Sequence, residues 1–248
     1  MSTVSDEAII LQVYAYGETS RILRLLTACH GLRSAAARGA LRPRSRFGGV
    51  LEPFAQGVAT LHLREGRDLQ TLTAFELTWS PIELGTNLLR FAGASVLSEI
   101  VMRTGSEESQ PGLFTVLRDS LSQLREAGPE SLELSILGHV WLLIDQLGFA
   151  PSLDECVQCD RSISPEADVR FDFGAGGVLC DACGAGAPGR DLPAHGRAAV
   201  RDLLAGRSPV VERTAAHWQL LRRHLEHHVV DGRMRTFAFL DAALAGTV

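Results

Sequence analysis

Four of the five cysteines in this 248-residue chain fall in two pairs, Cys156-Val-Gln-Cys159 and Cys180-Asp-Ala-Cys183, with twenty residues between them. That spacing is the double C-x2-C pattern of a zinc site. Each short turn aims two thiolates at one point, and two turns complete the tetrahedral sulfur sphere that Zn2+ accepts. The run VRFDFGAGGVLC reads as a hairpin with a GAGG turn, which would bring the second pair beside the first. Four thiolates leave no open position for water, and the H-x-E…PCxxC deaminase pattern is missing. One structural zinc ion is therefore expected rather than a catalytic one. A redox CxxC would need a βαβ context, and two disulfides would need an oxidising compartment. Cys29 stands apart and is expected to be a buried, unreactive thiol.

The second chemical feature is a loop, RGALRPRSRFGGVLEPF (38–54), in which Arg38, Arg42, Arg44 and Arg46 fall within nine residues. The chain as a whole carries a formal net charge of −5. Residues 16–49 nonetheless hold seven Arg and one acid, Glu18. Such local asymmetry points to an anionic partner. Guanidinium forks suit a phosphate backbone, and Arg21, Arg24 and Arg33 on neighbouring segments add to them. Tyr16 and Phe47 are interleaved with this charge, as in proteins that stack the bases of single strands on aromatic rings. The plain competitor is a solvated basic loop.

Other chemistries are excluded or unsupported. Every one of the 24 basic residues is Arg, so neither a P-loop lysine nor a Schiff-base lysine exists. No G-x-S-x-G is present, and the GAGG and GAGAPG stretches read as turns rather than dinucleotide loops. His224, His227 and His228 share one helix face, but HLEHH is not HExxH, and a solvated polar face is expected. Nothing demands an enzyme. The N-terminus has no basic region followed by an apolar one, and the longest apolar run, 134–144, is too short to span a bilayer. A soluble cytoplasmic protein is expected.

These residues need elements to position them. Short β-type runs at 8–15, 19–27, 32–39, 57–65 and 69–76 predict a small five-stranded barrel over residues 1–80. An oligonucleotide/oligosaccharide-binding (OB) barrel is the expected form, with an SH3-like barrel as competitor. In the fourth run Ala59, Leu61 and Leu63 alternate with Thr60, His62 and Arg64; in the second, Arg21 and Arg24 interrupt the alternation as a bulge would. From Pro81 the period becomes helical: Leu84, Leu88, Ala92, Val96 and Ile100, then Leu113 to Leu124, then Leu132 to Leu147. Helices return at 194–206 and 212–230. The fold class is thus α+β and multidomain: a barrel (1–80), a helical domain (81–150 and 190–248) and an inserted four-cysteine zinc finger (151–189).

Two blocks carry a family resemblance. YGETSRILRLLTACHGLRSAAARGALRPRSRFGGVLEPF (16–54) and LGFAPSLDECVQC…FDFGAGGVLCDAC (147–183) resemble, in the same order, the RecO recombination-mediator family, in its zinc-containing, Deinococcus-like type. The resemblance implies an OB barrel, a helical domain and a zinc finger. It implies a non-enzymatic protein of DNA repair and recombination that binds single- and double-stranded DNA and anneals complementary strands. It would help RecA displace single-strand-binding protein (SSB), with RecR and the RecF pathway as partners, in association with the nucleoid. The DNA-binding loop falls on Arg38, Arg42, Arg44 and Arg46, and the metal ligands on Cys156, Cys159, Cys180 and Cys183. The SSB tail has no motif here; Arg222 and Arg223 are the candidate cations. Two rival classes are a zinc-containing transcription regulator, which would prefer one duplex sequence, and a nuclease, which would cleave DNA with a metal.

Overall fold

A computed structural model describes residues 2–211 and 213–246. Its first five elements are strands: β1 (Ser2–Tyr16), β2 (Ser20–Thr27), β3 (Gly31–Ala37), β4 (Gln56–Leu63) and β5 (Leu69–Trp79). They close into a barrel of order β1-β2-β3-β5-β4. All neighbours are antiparallel except β3 and β5, which run parallel from Ser34↔Leu69 to Ala36↔Thr71. The long first strand makes closure possible. Residues 2–9 pair with β4 and residues 8–16 with β2. Between them the register shifts at Ile10/Gln12, the extra residue that bends a strand around a barrel. The bulge therefore lies in β1, and β2 pairs with β3 in unbroken register. Arg21 breaks the alternation for another reason. It sits at the strand's end, where its guanidinium reaches the Leu51 carbonyl and Glu52.

Alternation fills the barrel. Ile10, Leu23, Leu25, Ala35, Leu61 and Leu72 face inward and are inaccessible. The connection between β3 and β4 adds Phe47 and Leu51 to the same cluster, so the arginine-bearing loop is anchored in the core.

Helices α1 (Ile82–Gly85), α2 (Leu88–Thr104) and α3 (Pro111–Glu126) follow. The expected stripe through Leu84 and Leu88 is broken, because Asn87 caps α2 by accepting from the Arg90 amide at 2.9 Å. That break leaves Leu88 exposed. Then come α4 (Pro129–Gln146), β6 (Val169–Asp172), β7 (Gly177–Leu179), α5 (Asp181–Gly184), β8 (Arg190–Leu192), α6 (Ala194–Leu204), α7 (Thr214–His228) and α8 (Arg235–Ala245). No helix among the described residues is long and apolar enough to cross a membrane.

Contacts divide the chain into two compact units, Met1–Glu126 with Met234–Val248, and Ala127–Arg233. The division cuts through the expected helical domain. Helix α8 packs on α2, with Phe239 edge-on to Phe91 at 6.2 Å, whereas α6 and α7 pack on α4. The second unit also holds the three-stranded sheet β7-β6-β8.

Candidate metal centre and candidate nucleic-acid interface

Backbone pairing builds the candidate metal site. The strand-like segment around the first cysteine lies along β7, with Val157 N–H on the Val178 carbonyl (2.9 Å) and Val178 N–H on that of Ser152 (3.0 Å). Only glycine fits at 177, since a Cβ there would stand 2.5 Å from Val157 Cγ1. Cys156 N–H then bonds the Arg161 carbonyl, and Asp160, in the left-handed region at φ 57°, returns its N–H to the Cys156 carbonyl. This closes the first knuckle. Across the hairpin, Cys180 follows β7 and caps α5, where Gly184 N–H bonds its carbonyl at 2.7 Å.

The result brings together all four predicted ligands. The Sγ atoms of Cys156, Cys159, Cys180 and Cys183 lie within 4.8 Å of one another. Cys159 and Cys180 are 3.8 Å apart, far from a disulfide bond length. Thiolates at about 2.3 Å from a tetrahedral ion have an edge of roughly 3.8 Å, so the cluster fits such an ion. Its acid–base state fits too. Burial alone would raise Cys156, but the amides of Cys180, Gln158 and Cys159 outweigh it and bring the thiol down to about 6. Cys183 is pushed up to about 12, first by its hydrogen bonds to Cys159 and Cys180. Four neighbouring thiolates cannot all ionise without a cation, and a divalent ion would relieve that conflict.

Helix α6 ties down the outer half of the site. Arg197, fully buried, donates from Nη2 to the Ser164 carbonyl; Arg201 pairs with Asp154; Ala194 N–H bonds Asp168 Oδ1 at 2.9 Å.

The α7 histidines divide: His227 is exposed as expected and His228 half-buried, but His224 is not on a solvated face. His224 is 1% exposed, and its Nε2–H donates to the Phe149 carbonyl at 2.8 Å. Its ring packs on Trp141 and Phe171. Helix α7 turns this face inward, which burial of His217 confirms. Burial depresses His224 to about 4. Arg222 and Arg223 lie over the rings of Trp218 (5.6 Å) and Phe173 (4.2 Å). Cys29 is exposed rather than buried, at the β2–β3 turn. Its thiol is raised chiefly by the nearby Asp6 charge.

On the barrel, the structure separates the seven arginines. Arg33 pairs with Glu107 at 2.7 Å, Arg21 with Glu52 at 3.0 Å, and Arg24 donates to Ser34 Oγ at 2.5 Å. Arg38, Arg42, Arg44 and Arg46 are exposed, and none has a carboxylate partner among the described residues. Their loop is a succession of turns, with N–H of Arg42, Ser45 and Gly48 each bonded three residues back. Leu41 N–H ties it to the Thr19 carbonyl at 2.9 Å. Gly39, Gly48 and Gly49 take positive φ, as this winding requires.

Phe47 must be withdrawn as a stacking ring. It is 2% exposed in the barrel core, and Arg46 lies over its ring at 5.1 Å. Tyr16 is exposed as expected, and so is Tyr14 two residues earlier. Tyr14 escaped the sequence reading, although strand alternation places it on Tyr16's face. Arg38 and Arg67 of the β4–β5 loop line one cavity of about 370 Å3.

A cationic loop anchored on a five-stranded barrel, with a cysteine-clustered second unit, defines a class that family models recognise. "Recombination protein O N terminal" matches residues 1–81 and "Recombination protein O C terminal" residues 85–236. The chain is 35% identical over 247 residues to "DNA repair protein RecO" of Anaeromyxobacter sp. (strain Fw109-5), covering 94% of this chain and 93% of that one. It is 35% identical over 246 residues to the protein of that name from Nocardioides sp. (strain ATCC BAA-499 / JS614), covering 95% and 98%. The chain belongs to the RecO family.

Proposed function

We propose that this chain is a non-enzymatic mediator of DNA repair and homologous recombination. It binds single- and double-stranded DNA through its barrel, taken as an OB barrel, anneals complementary strands, and works with RecR to load RecA onto SSB-coated single strands. The observation that carries this reading is the quartet of exposed arginines without carboxylate partners, on a loop whose turns and buried Phe47 hold it to the barrel. Phosphate contacts from such a loop fix the strand's position without reading its sequence. Exposed Tyr14 and Tyr16 supply faces on which any base can stack. Arg21, Arg24 and Arg33 are half-buried and already hold partners in Glu52, Ser34 and Glu107, so they stand behind the loop quartet as phosphate contacts.

The four-cysteine site would hold one structural Zn2+, since the sulfur set is soft and complete. When bound, the ion supplies folding free energy to a region with little core of its own. Arg222 and Arg223 remain the candidates for the acidic SSB tail.

The test is a salt series with a labelled mixed-sequence oligonucleotide, wild type against the Arg38/Arg42/Arg44/Arg46→Ala variant. Four lost phosphate contacts should make the single-strand log–log slope shallower by roughly 3. Equal slopes and affinities would assign these arginines to an acidic protein partner instead.

A further inference from the structure

Beside the arginine loop lies a cleft of about 310 Å3 that the phosphate contacts do not use. One wall is Gly48 and Gly49, at the end of the loop; the others are Phe54, Ile82, Gly85 and Phe91. We propose that this cleft takes a single nucleobase of a DNA strand whose phosphates lie on the arginine loop. The proposal rests on the reading of that loop as a phosphate site, and adds to it a subsite that selects unpaired bases.

Four observations support a nucleobase as the occupant. The interior is apolar and aromatic, with Phe54 and Phe91 edge-to-face at 5.3 Å, and its volume is at the small end of ligand pockets. Ile82 is 74% exposed and Leu77, also lining the cleft, is 36% exposed, so apolar side chains stand in water at its edge. Charge favours an anionic polymer. Arg46 is two residues from Gly48, within about 8 Å along the chain, and Glu52, the carboxylate of the lining, is already paired with Arg21 at 3.0 Å. Finally, Phe54 sits at φ 70°, a costly conformation for a bulky residue. Strain of this kind gathers at ligand clamps. Bare glycine backbone at Gly48 and Gly49, with nothing within 4 Å of a built Cβ, leaves the side facing the arginines open.

The consequence is discrimination by pairing state. A base in this cleft packs against the exposed Ile82 and Leu77 and the half-buried Phe91, with Phe54 behind them, and is not read by hydrogen bonds, so base identity matters little. A duplex must first flip a nucleotide out, which costs a few kcal/mol. The cleft therefore favours single strands over duplex, where the arginines alone would not.

Gly85 provides the test. A Cβ there meets nothing within 4 Å and its φ is not positive, so Gly85→Leu adds bulk to the cleft without strain. Ile82→Ser, at an exposed position, removes an apolar wall instead. Two oligodeoxynucleotides of equal length are compared, one mixed-sequence and one abasic throughout. Wild type should prefer the base-bearing strand; each variant should lose about tenfold of that preference, the scale of one stacked base. Affinity for the abasic strand and the salt slope should stay as in wild type. Unchanged preference in both variants, or equal loss on both strands, would overturn the base site. An acidic, aromatic peptide that binds wild type but not Gly85→Leu, with base preference intact, would give the cleft to a protein and overturn it too. Wild type that binds neither strand would instead remove the DNA reading of the loop.

Discussion

The barrel and the cysteine-bearing unit use the same cation in opposite ways. On the loop after β3, Arg38, Arg42, Arg44 and Arg46 stand exposed without a carboxylate partner among the described residues. Around the cysteine cluster, Arg170 pairs with Asp191, Arg201 with Asp154 and Arg207 with Asp202, while Arg197 is wholly buried. The difference follows from how much core each region has. The barrel buries Ile10, Leu23, Leu25, Leu61 and Leu72 around a closed set of strands, so it is stable without help from its surface charge. The insert has strands of four, three and three residues. It draws instead on charge pairs, a buried guanidinium and four sulfurs. Unpaired charge is left where a core can carry the cost of like-charge repulsion, and that is where an anion can bind.

The largest effect should come from removing the metal. Cys156→Ala, or a strong chelator, should release the ion and cost the insert more than about 5 kcal/mol. Hydrogen exchange should then show residues 150–192 losing protection while β1–β5 keep theirs. Protection that survives in the insert would mean that its ion pairs suffice and that the contrast with the barrel is overstated. DNA binding lost with an intact barrel would place the finger in the binding surface.

Acid should separate the regions next. His139 and His224, both in the second unit, are held to about 4, by burial first in each case. Their unfolded values lie near 6.5. Below that pH the unfolded chain binds protons that the folded one refuses, so stability falls as pH drops from about 6.5 toward 4. The loss is on the order of 2 kcal/mol for each by pH 5. Urea unfolding of a Trp79→Phe variant, followed by Trp141 and Trp218, reads this unit alone. His224→Gln keeps a donor for the Phe149 carbonyl and should remove about half of the slope. A stability curve flat between pH 7 and 5 would contradict the burial of these rings.

Much of this organisation was legible in the sequence, and the exceptions have physical causes. The four-cysteine cluster was readable because four cysteines at fixed spacing admit few arrangements. The five strands were readable because alternation survives in a barrel with one wet face. Of the α7 histidines, His227 is exposed as its polarity suggests, but His224 was misassigned because periodicity gives a face and not its direction: it looks polar and is buried among Trp141 and Phe171. Phe47 was misplaced because a ring in a basic loop looks like a platform, whereas here it anchors the loop. Helix α8 and its packing on α2 were missed, since RTFAFLDAALA carries its apolar residues without a clear cap. The cleft beside Gly48 could not be read at all. Its walls come from three separated segments that only the closed barrel and α1 bring together.

The smallest effect concerns Cys29, the cysteine outside the cluster. It is exposed, yet Asp6 raises its thiol, and Asp6 Oδ2 also accepts the Cys29 amide at 2.9 Å. The charge of Asp6, not burial, is thus what disfavours the Cys29 thiolate. In the metal-loaded protein at neutral pH, iodoacetamide should label Cys29 slowly and the four ligands not at all, since their sulfurs are held by the ion. Asp6→Asn should speed labelling at Cys29 by removing the charge that disfavours thiolate. Labelling counted by mass should then stop at one per chain. Five labels appearing together would show that the cluster carries no ion under those conditions, and the insert would lose the device that sets it apart from the barrel. One fast label, unaffected by Asp6→Asn, would leave the cluster intact and locate the error at the β2–β3 turn.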